Sequence, residues 1–256
     1  MYTNPLDSER SFRFHSTGTV VKLLLANPNS TEAVTQACAV LARGAASPGT
    51  EIVPWTNREG PPAVDSVYGD YMAGRPLATR LAVLAPRPDA IVLAGFGNYG
   101  TGAVKEILES PVVGLAEAAM AFATPLCHRF VIVTTSPRMI AYTEDVVQLL
   151  GFAPRCAAVR AVQLPPIAAG EPEAEEVVER LAGAAAAARV SDGADLVILG
   201  GARLAPHADA LRRRTPLVVV EPVACAVAMA EALVRLGLSQ SKAGKFAPPP
   251  RPLSEY

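Results

Sequence analysis

Glycine-rich turns follow two apolar runs of the sequence and could serve a reaction through their backbone. "LAGFGNYG" covers residues 93–100, and "ILGGARLA" covers residues 198–205. Each reads as a strand that breaks into a turn, with Gly95 and Gly201 where the chain leaves the sheet. Backbone N–H groups of such turns can stabilise a carboxylate or a developing enolate oxygen. The other interpretation is that the glycines simply permit a tight turn.

Polar side chains lie at the same predicted strand ends. In open parallel sheets, ligands bind beyond the carboxyl ends of the strands, where helix N-termini offer unpaired N–H groups. A single Ser or Thr at such a position is typical of a helix cap. Together, however, the polar groups at these ends favour a small-carboxylate site. The candidate binding residues are Asn29, Ser30, Thr31, Gly95, Asn98, Thr101, Thr134, Thr135, Gly201 and Ala202.

Five side chains are candidates for a general acid, a general base or a group that binds the substrate. His207 begins the helix after the second glycine turn, and its ordinary pKa suits proton transfer near neutrality, although a surface histidine is the competing interpretation. Glu117 and Glu221 occupy equivalent strand ends and suggest a carboxylate pair, unless each caps a helix or forms an ion pair. Tyr99 could donate to an oxyanion. Arg203 could clamp a carboxylate in bidentate fashion or point to solvent.

Short apolar runs alternate with helical patterns along the chain. The runs "VKLLLAN", "TEIVPW", "DAIVLAG", "PVVG", "RFVIVTT", "RCAAVRAV", "DLVILGG" and "PLVVVEP" read as strands. Asn29 or Ser30 is a natural N-cap of the first helix, and Gly44 is a natural residue just beyond its end. Residues 57–70 are expected to form a proline-rich loop.

The second half of the chain repeats the pattern of the first. Residues 89–93 match residues 195–199, and residues 111–113 match residues 216–218. We therefore expect an α/β fold of two pseudo-twofold-related Rossmann-like lobes, each with a parallel sheet, and a cleft between them. The predicted division is residues 21–117 plus 223–245 for the first lobe and 118–222 for the second. Residues 1–20 form an extension and 246–256 a proline-rich tail, and the last helix packs back on the first lobe.

Composition excludes several classes of protein. The 256 residues carry a formal net charge of −1, which gives no electrostatic case for nucleic acid or an anionic membrane. The cysteines at 38, 127, 156 and 225 have neither CxxC spacing nor paired histidines, so neither a metal site nor a disulfide framework is expected. No apolar run has the length of a signal or a membrane span. These features predict a cytoplasmic protein.

A family resemblance rests on five segments in order. "LLANPNST", "DAIVLAGFGNYG", "PVVGLAEAAM", "RFVIVTT" and "PLVVVEPVACAVAMAEALVRLGLSQSK" resemble the Asp/Glu/hydantoin racemase superfamily, particularly its hydantoin and allantoin racemase branch. The resemblance runs from about residue 21 to residue 245. It implies a two-lobe enzyme, usually a homo-oligomer, that needs no metal and no organic cofactor. The implied substrates are small carboxylates or cyclic ureides with an acidic C–H.

The sequence departs from that family at its reactive positions. Racemases of the family use two cysteines, one per lobe, on opposite faces of the substrate carbon. The resemblance places these cysteines at Gly95 and Gly201. Asn98-Tyr99 also replaces the usual Asp-Pro, and Arg203 replaces a second glycine. Because glycine carries no exchangeable side-chain proton, the two-thiol mechanism is not expected here.

Two classes of function follow. The first is an enzyme that stabilises an enolate-type or tetrahedral intermediate of a small carboxylate or hydantoin-like ring, with isomerase, lyase or decarboxylase, or ring-opening and ring-closing chemistry. The second is a non-catalytic ligand-binding relative that kept the cleft. A biosynthetic cyclase that uses the enlarged pocket is a further alternative.

Overall fold

The computed structural model describes residues 20–165 and 174–255. Most of the predicted N-terminal extension lies outside these ranges, as do the three residues predicted to begin the sixth helix, Glu171 to Glu173.

Two separate four-stranded sheets, both fully parallel, form the framework. The first contains β1 (Val21–Asn27), β2 (Thr50–Thr56), β3 (Ala90–Leu93) and β4 (Val112–Gly114), in the order β2-β1-β3-β4. The second contains β5 (Phe130–Thr134), β6 (Cys156–Ala161), β7 (Leu196–Leu199) and β8 (Val218–Val220), in the order β6-β5-β7-β8. Strands buried on both faces read as continuous apolar runs, which is why the sequence shows them clearly. The equivalent strand orders confirm the predicted two-lobe α/β fold.

Helices cover the sheets. They are α1 (Glu32–Ala45), α2 (Val67–Ala82), α3 (Thr101–Ile107), α4 (Leu115–Ala123), α5 (Met139–Leu149), α6 (Ala174–Ala187), α7 (Ala208–Arg212) and α8 (Pro222–Arg235). The last helix, α8, packs on α1, α4 and β3, as expected from the sequence. One continuous core joins the two sheets, with Leu23, Val113, Ile132 and Ile198 in the same buried cluster. The two lobes therefore share their interior.

The structure corrects two local predictions. Residues 67–70 begin α2 instead of ending a loop, because the Ser66 side chain accepts the Gly69 N–H at 3.1 Å and caps the helix. The first helix begins after Thr31, not after Asn29 or Ser30, and continues through Gly44 to Ala45. Across the described ranges, no helix is long and apolar enough to cross a membrane.

Candidate active site between the two sheets

A cavity of about 200 Å³ lies where the carboxyl ends of both sheets meet. The segments that follow β1, β3, β5 and β7 all contribute to its wall, as the parallel topology requires. Predicted site residues in this wall are Asn29, Gly95, Tyr99, Thr134, Thr135, Gly201, Ala202 and Arg203. The sequence interpretation missed others, among them Val34, Asp65, Phe96, Ser136 and Thr143. Ser136 directly follows the two threonines and could have been included, whereas Asp65 lies in a loop and carries no such signal.

The two glycine turns have the same backbone geometry. Ala94 N–H donates to Ala26 O at 2.8 Å, and Gly200 N–H donates to Val133 O at 2.7 Å. One residue later, the Gly95 and Gly201 N–H groups each donate to a carbonyl two residues back, both at 2.9 Å. The amides of these two glycines are therefore occupied within their own turns. For the amides of Gly95 and Gly201, the structure favours the tight-turn interpretation.

The space beside the two glycines differs. A Cβ at Gly95 would lie 2.9 Å from both Pro28 Cγ and Tyr99 Cδ2, and closer still to Tyr99 Cε2. The Tyr99 ring thus fills the volume that a side chain at position 95 would need. A Cβ at Gly201 would meet a single neighbour, Thr135 Cγ2, at 3.3 Å. The two turns therefore share a backbone geometry, but the side chains packed against their glycines differ.

Tyr99 is a buried phenol in the cavity wall, with 6% of its surface exposed. Burial, with smaller effects from Tyr142 and Asp70, raises the pKa of its hydroxyl well above 10. Within the described ranges, no group forms a hydrogen bond with this hydroxyl, whereas the Tyr99 N–H donates to Asp70. Tyr99 therefore remains protonated at neutral pH, and the residue forms part of the cavity wall.

Three consecutive hydroxyl residues at the end of β5 form part of the cavity wall. Thr134, Thr135 and Ser136 line it, and Thr134 is 2% exposed. Their carbonyls serve the local fold: Val162 N–H donates to Thr134 O and Leu164 N–H to Thr135 O. Their hydroxyls form no hydrogen bond within residues 20–165 and 174–255. This edge of the second sheet thus offers several hydroxyl donors to a ligand.

The corresponding groups of the first sheet are used internally. Asn29 Oδ1 accepts from Asn27 Nδ2 and from Thr31 N–H, while Ser30 N–H donates to Pro61 O. Thr31 Oγ1 donates to Pro62 O at 2.7 Å. The Thr101 hydroxyl donates to the Asn98 carbonyl. These groups form local hydrogen bonds within the segments around the strand ends, but neither α1 nor α3 has a side-chain hydrogen bond at its N-cap.

The two glutamates lie outside the cavity wall. Glu117 forms an ion pair with Lys105, at 2.7 and 2.8 Å, beside a different cavity that also includes Asn98. Glu221 is buried and caps α8, accepting the N–H groups of Val223 at 2.6 Å and Ala224 at 2.8 Å. Burial raises the pKa of Glu221 despite these hydrogen bonds. The structure does not bring the two carboxylates together as a pair at the cavity.

The second turn contributes a cation. Arg203 lines the cavity and donates from Nη1 to Pro165 O at 2.9 Å, which holds part of the guanidinium at the rim. His207 lies in the short helical turn Ala205–His207 and is outside the cavity wall. Among the residues described, no Cys, His or Glu side chain lines the cavity. Its polar chemistry therefore comes from hydroxyl groups, Asp65, Asn29 and Arg203.

Comparisons with known proteins agree with this architecture. Residues 23–230 match the family model of Asp/Glu/hydantoin racemases. A hydantoin racemase of Paenarthrobacter aurescens is 33% identical over 231 residues, covering 90% of this chain and 98% of the relative.

Solved structures give the same result. An allantoin racemase from Klebsiella pneumoniae superposes with a TM-score of 0.85 at 34% identity, covering 91% of this chain and 95% of that one. A mutant of arylmalonate decarboxylase has a TM-score of 0.61 at 15% identity, which shows the shared fold alone. The chain belongs to the Asp/Glu/hydantoin racemase family.

Proposed function

We propose that this protein is a lyase-type member of the family that acts on a small carboxylate or hydantoin-like ring without a thiol pair. The observation that carries the proposal is that the Tyr99 ring fills the space beside Gly95. A phenol that stays protonated at neutral pH has no base form available to abstract a proton, but it can still give its proton to a strongly basic carbanion. This favours a reaction in which a carbanion forms through a leaving group, such as carbon dioxide, and is then protonated.

In this proposal, side chains at the strand ends of the second sheet bind the substrate, and Tyr99, which follows the first sheet, protonates it. Thr134, Thr135 and Ser136 donate to the carboxylate or to the developing enolate oxygens, and Arg203 adds a charge-assisted contact. When the bond to the leaving group breaks, its electron pair enters the enolate. The Tyr99 O–H then gives its proton to carbon, and water reprotonates the phenolate. Because the acid lies on one side, the product is a single enantiomer.

At the other face of the substrate, Gly201 leaves open space and supplies no second acid. A small substituent or a water molecule fits where the opposite thiol of a racemase is expected. Asn29 and Ala202 complete the wall around this volume. The protein would therefore not racemise its product. We also propose that it works as a homo-oligomer, as the family resemblance implies, and in the cytoplasm, as the cysteine pattern suggests.

The test begins with ligand discovery. Thermal shift against malonate, α-substituted malonates, simple monocarboxylates and 5-substituted hydantoins identifies the class, since saturating ligand raises the melting temperature. The best ligand is then incubated in D₂O, and the product is examined for carbon dioxide release and one deuterium at a single stereochemical position. Racemase-like exchange of the α-proton of aspartate, glutamate or a hydantoin would overturn the proposal.

Variants assign the roles. Tyr99→Phe should lower kcat by about 10²-fold or more, as expected for loss of a general acid. Thr135→Val should weaken affinity about tenfold or more, since a hydrogen bond to a charged group contributes about 1.5–3 kcal/mol. The matched controls are Tyr71→Phe and Thr79→Val, both on α2 and away from this cavity. Undiminished kcat in Tyr99→Phe would exclude Tyr99 as the acid.

A second candidate function is ligand binding without turnover. It is favoured by the absence of Cys, His and Glu from the described cavity wall. In that case, a ligand stabilises the protein but remains chemically unchanged over long incubation, and Tyr99→Phe alters affinity alone.

A further inference from the structure

Tyr99 adopts a backbone conformation that a bulky residue rarely accepts. Its φ is +41°, in the left-handed region. Such a conformation persists when surrounding contacts impose it, and it is common at functional sites. The contacts around Tyr99 therefore identify what holds its ring across Gly95.

The first of these contacts comes from α2. Asp70 Oδ1 accepts the Tyr99 N–H at 2.6 Å. The helix backbone also touches the turn directly, since a Cβ at Gly74 would lie 3.2 Å from Gly100 N. Burial raises the pKa of Asp70, although the hydrogen bond from Tyr99 N–H opposes that shift. The carboxyl group thus accepts the Tyr99 N–H and also interacts with the Tyr142 hydroxyl.

The second contact comes from α5, which covers the other sheet. The Tyr142 hydroxyl accepts the Asn98 N–H at 2.9 Å. Position 97 must be glycine for this arrangement, because a Cβ there would lie 2.6 Å from Tyr99 Cζ and closer still to Tyr142 Oη. The turn from Gly97 to Tyr99 is therefore fixed by one side chain from each lobe.

We propose that Asp70 and Tyr142 are positioning residues that hold the Tyr99 ring over Gly95 in the cavity wall. The role of Tyr99 as an acid rests on the proposed function above. The positioning of the ring does not depend on that function, because it concerns only the place of the Tyr99 side chain in the fold. Neither Asp70 nor Tyr142 lines the cavity between the sheets, so each acts through Tyr99 and not on the ligand.

A ligand-free double-mutant cycle tests the positioning. In the wild-type background, Gly95→Ala should lower the melting temperature because the new methyl group meets the Tyr99 ring. In the Asp70→Ala background, the released ring can move away, so Gly95→Ala should lose at least half of that effect. Asp70→Asn retains an oxygen acceptor for the Tyr99 N–H and should restore the full effect. Tyr71→Phe, an exposed change on the same helix, should be additive with Gly95→Ala.

Tyr142→Phe provides a second arm, which also serves if Asp70→Ala fails to fold. It should likewise reduce the effect of Gly95→Ala by half or more. Equal lowering of the melting temperature by Gly95→Ala in all backgrounds would overturn the inference. Because no ligand is used, that failure would leave the proposed reaction standing. Conversely, a coupled cycle with full turnover in Tyr99→Phe would refute the acid role alone.

Discussion

The two glycine turns should respond differently to the same small change, Gly→Ala. At position 95, the added methyl group would lie 2.9 Å from Pro28 Cγ and within the ring of Tyr99. That ring is buried in the same apolar cluster as Leu24, Leu77 and Leu93, so its displacement would disturb a packed core. Overpacking of this kind costs about 1–3 kcal/mol in typical cores.

The gain from a less flexible unfolded chain partly offsets this cost. Replacing Gly by Ala contributes about 0.4–1 kcal/mol where the native backbone accepts alanine. Neither Gly95 nor Gly201 has a positive φ, so the steric contact decides the difference. For Gly95→Ala, a net loss of about 1–2 kcal/mol is expected, equivalent to a fall of roughly 2–8 °C in melting temperature.

Gly201→Ala is the matched control. Its methyl group would meet Thr135 Cγ2 at 3.3 Å, a contact that a shift of a few tenths of an ångström relieves. Its free energy of unfolding should stay within about 0.5 kcal/mol of wild type. Urea unfolding and differential scanning calorimetry measure both variants. If Gly95→Ala is as stable as Gly201→Ala, the Tyr99 ring does not occupy the volume assigned to it.

Two further properties can be measured directly. Burial raises the pKa of Cys38 to about 12, and that of Cys156 and Cys225 to about 11, from an ordinary 9.0. Iodoacetamide at pH 8, followed by mass spectrometry, should therefore modify Cys156 and Cys225 roughly 100-fold more slowly in the native protein than in urea, and Cys38 roughly 1,000-fold more slowly. A fast native thiol among them would contradict this. Burial alone would raise the pKa of Glu231, but hydrogen bonds from Thr50 and Ser47 lower it below 4.5. Its stabilisation is thus present above pH 4.5 and is lost as the pH falls through the lower folded value. The difference in unfolding free energy between wild type and Glu231→Gln should therefore shrink on acidification below pH 5, and a constant difference would contradict the assignment.

The sheets could be predicted from the sequence because their signal is local. Strands such as Leu196–Leu199 are buried on both faces and have no polar residue to confuse the pattern. Helix α2 was harder to predict because Pro61 and Pro62 precede it, Pro76 interrupts it, and its apolar stripe is weak. Ser66 could have indicated the start of this helix, because a serine at the N-cap typically accepts the N–H of the residue three positions later.

The sequence allowed the location of the site to be predicted, but not which of its polar groups are available to a ligand. Thr31 and Thr135 look alike in sequence, each following a strand end. Thr31 Oγ1 is used by Pro62 O, 31 residues away, whereas Thr135 Oγ1 has no partner among the described residues. Which hydroxyl is available therefore depends on contacts between distant segments. The same holds for Tyr99, whose ring position follows from Asp70 and Tyr142.

Broken symmetry is the physical basis for the chemistry proposed here. Racemisation by two groups needs an acid on one face of the carbon and a base on the other, and each must be able to exchange roles. In this cavity, one face carries a phenol whose pKa burial raises, and the other carries the open volume beside Gly201. A phenol that stays protonated at neutral pH has no base form with which to start a reversible exchange. It can finish a reaction in which the leaving group has already supplied the electron pair. The geometry thus favours one-directional proton delivery, and the stereochemistry of deuterium incorporation is the measurement that decides between the two.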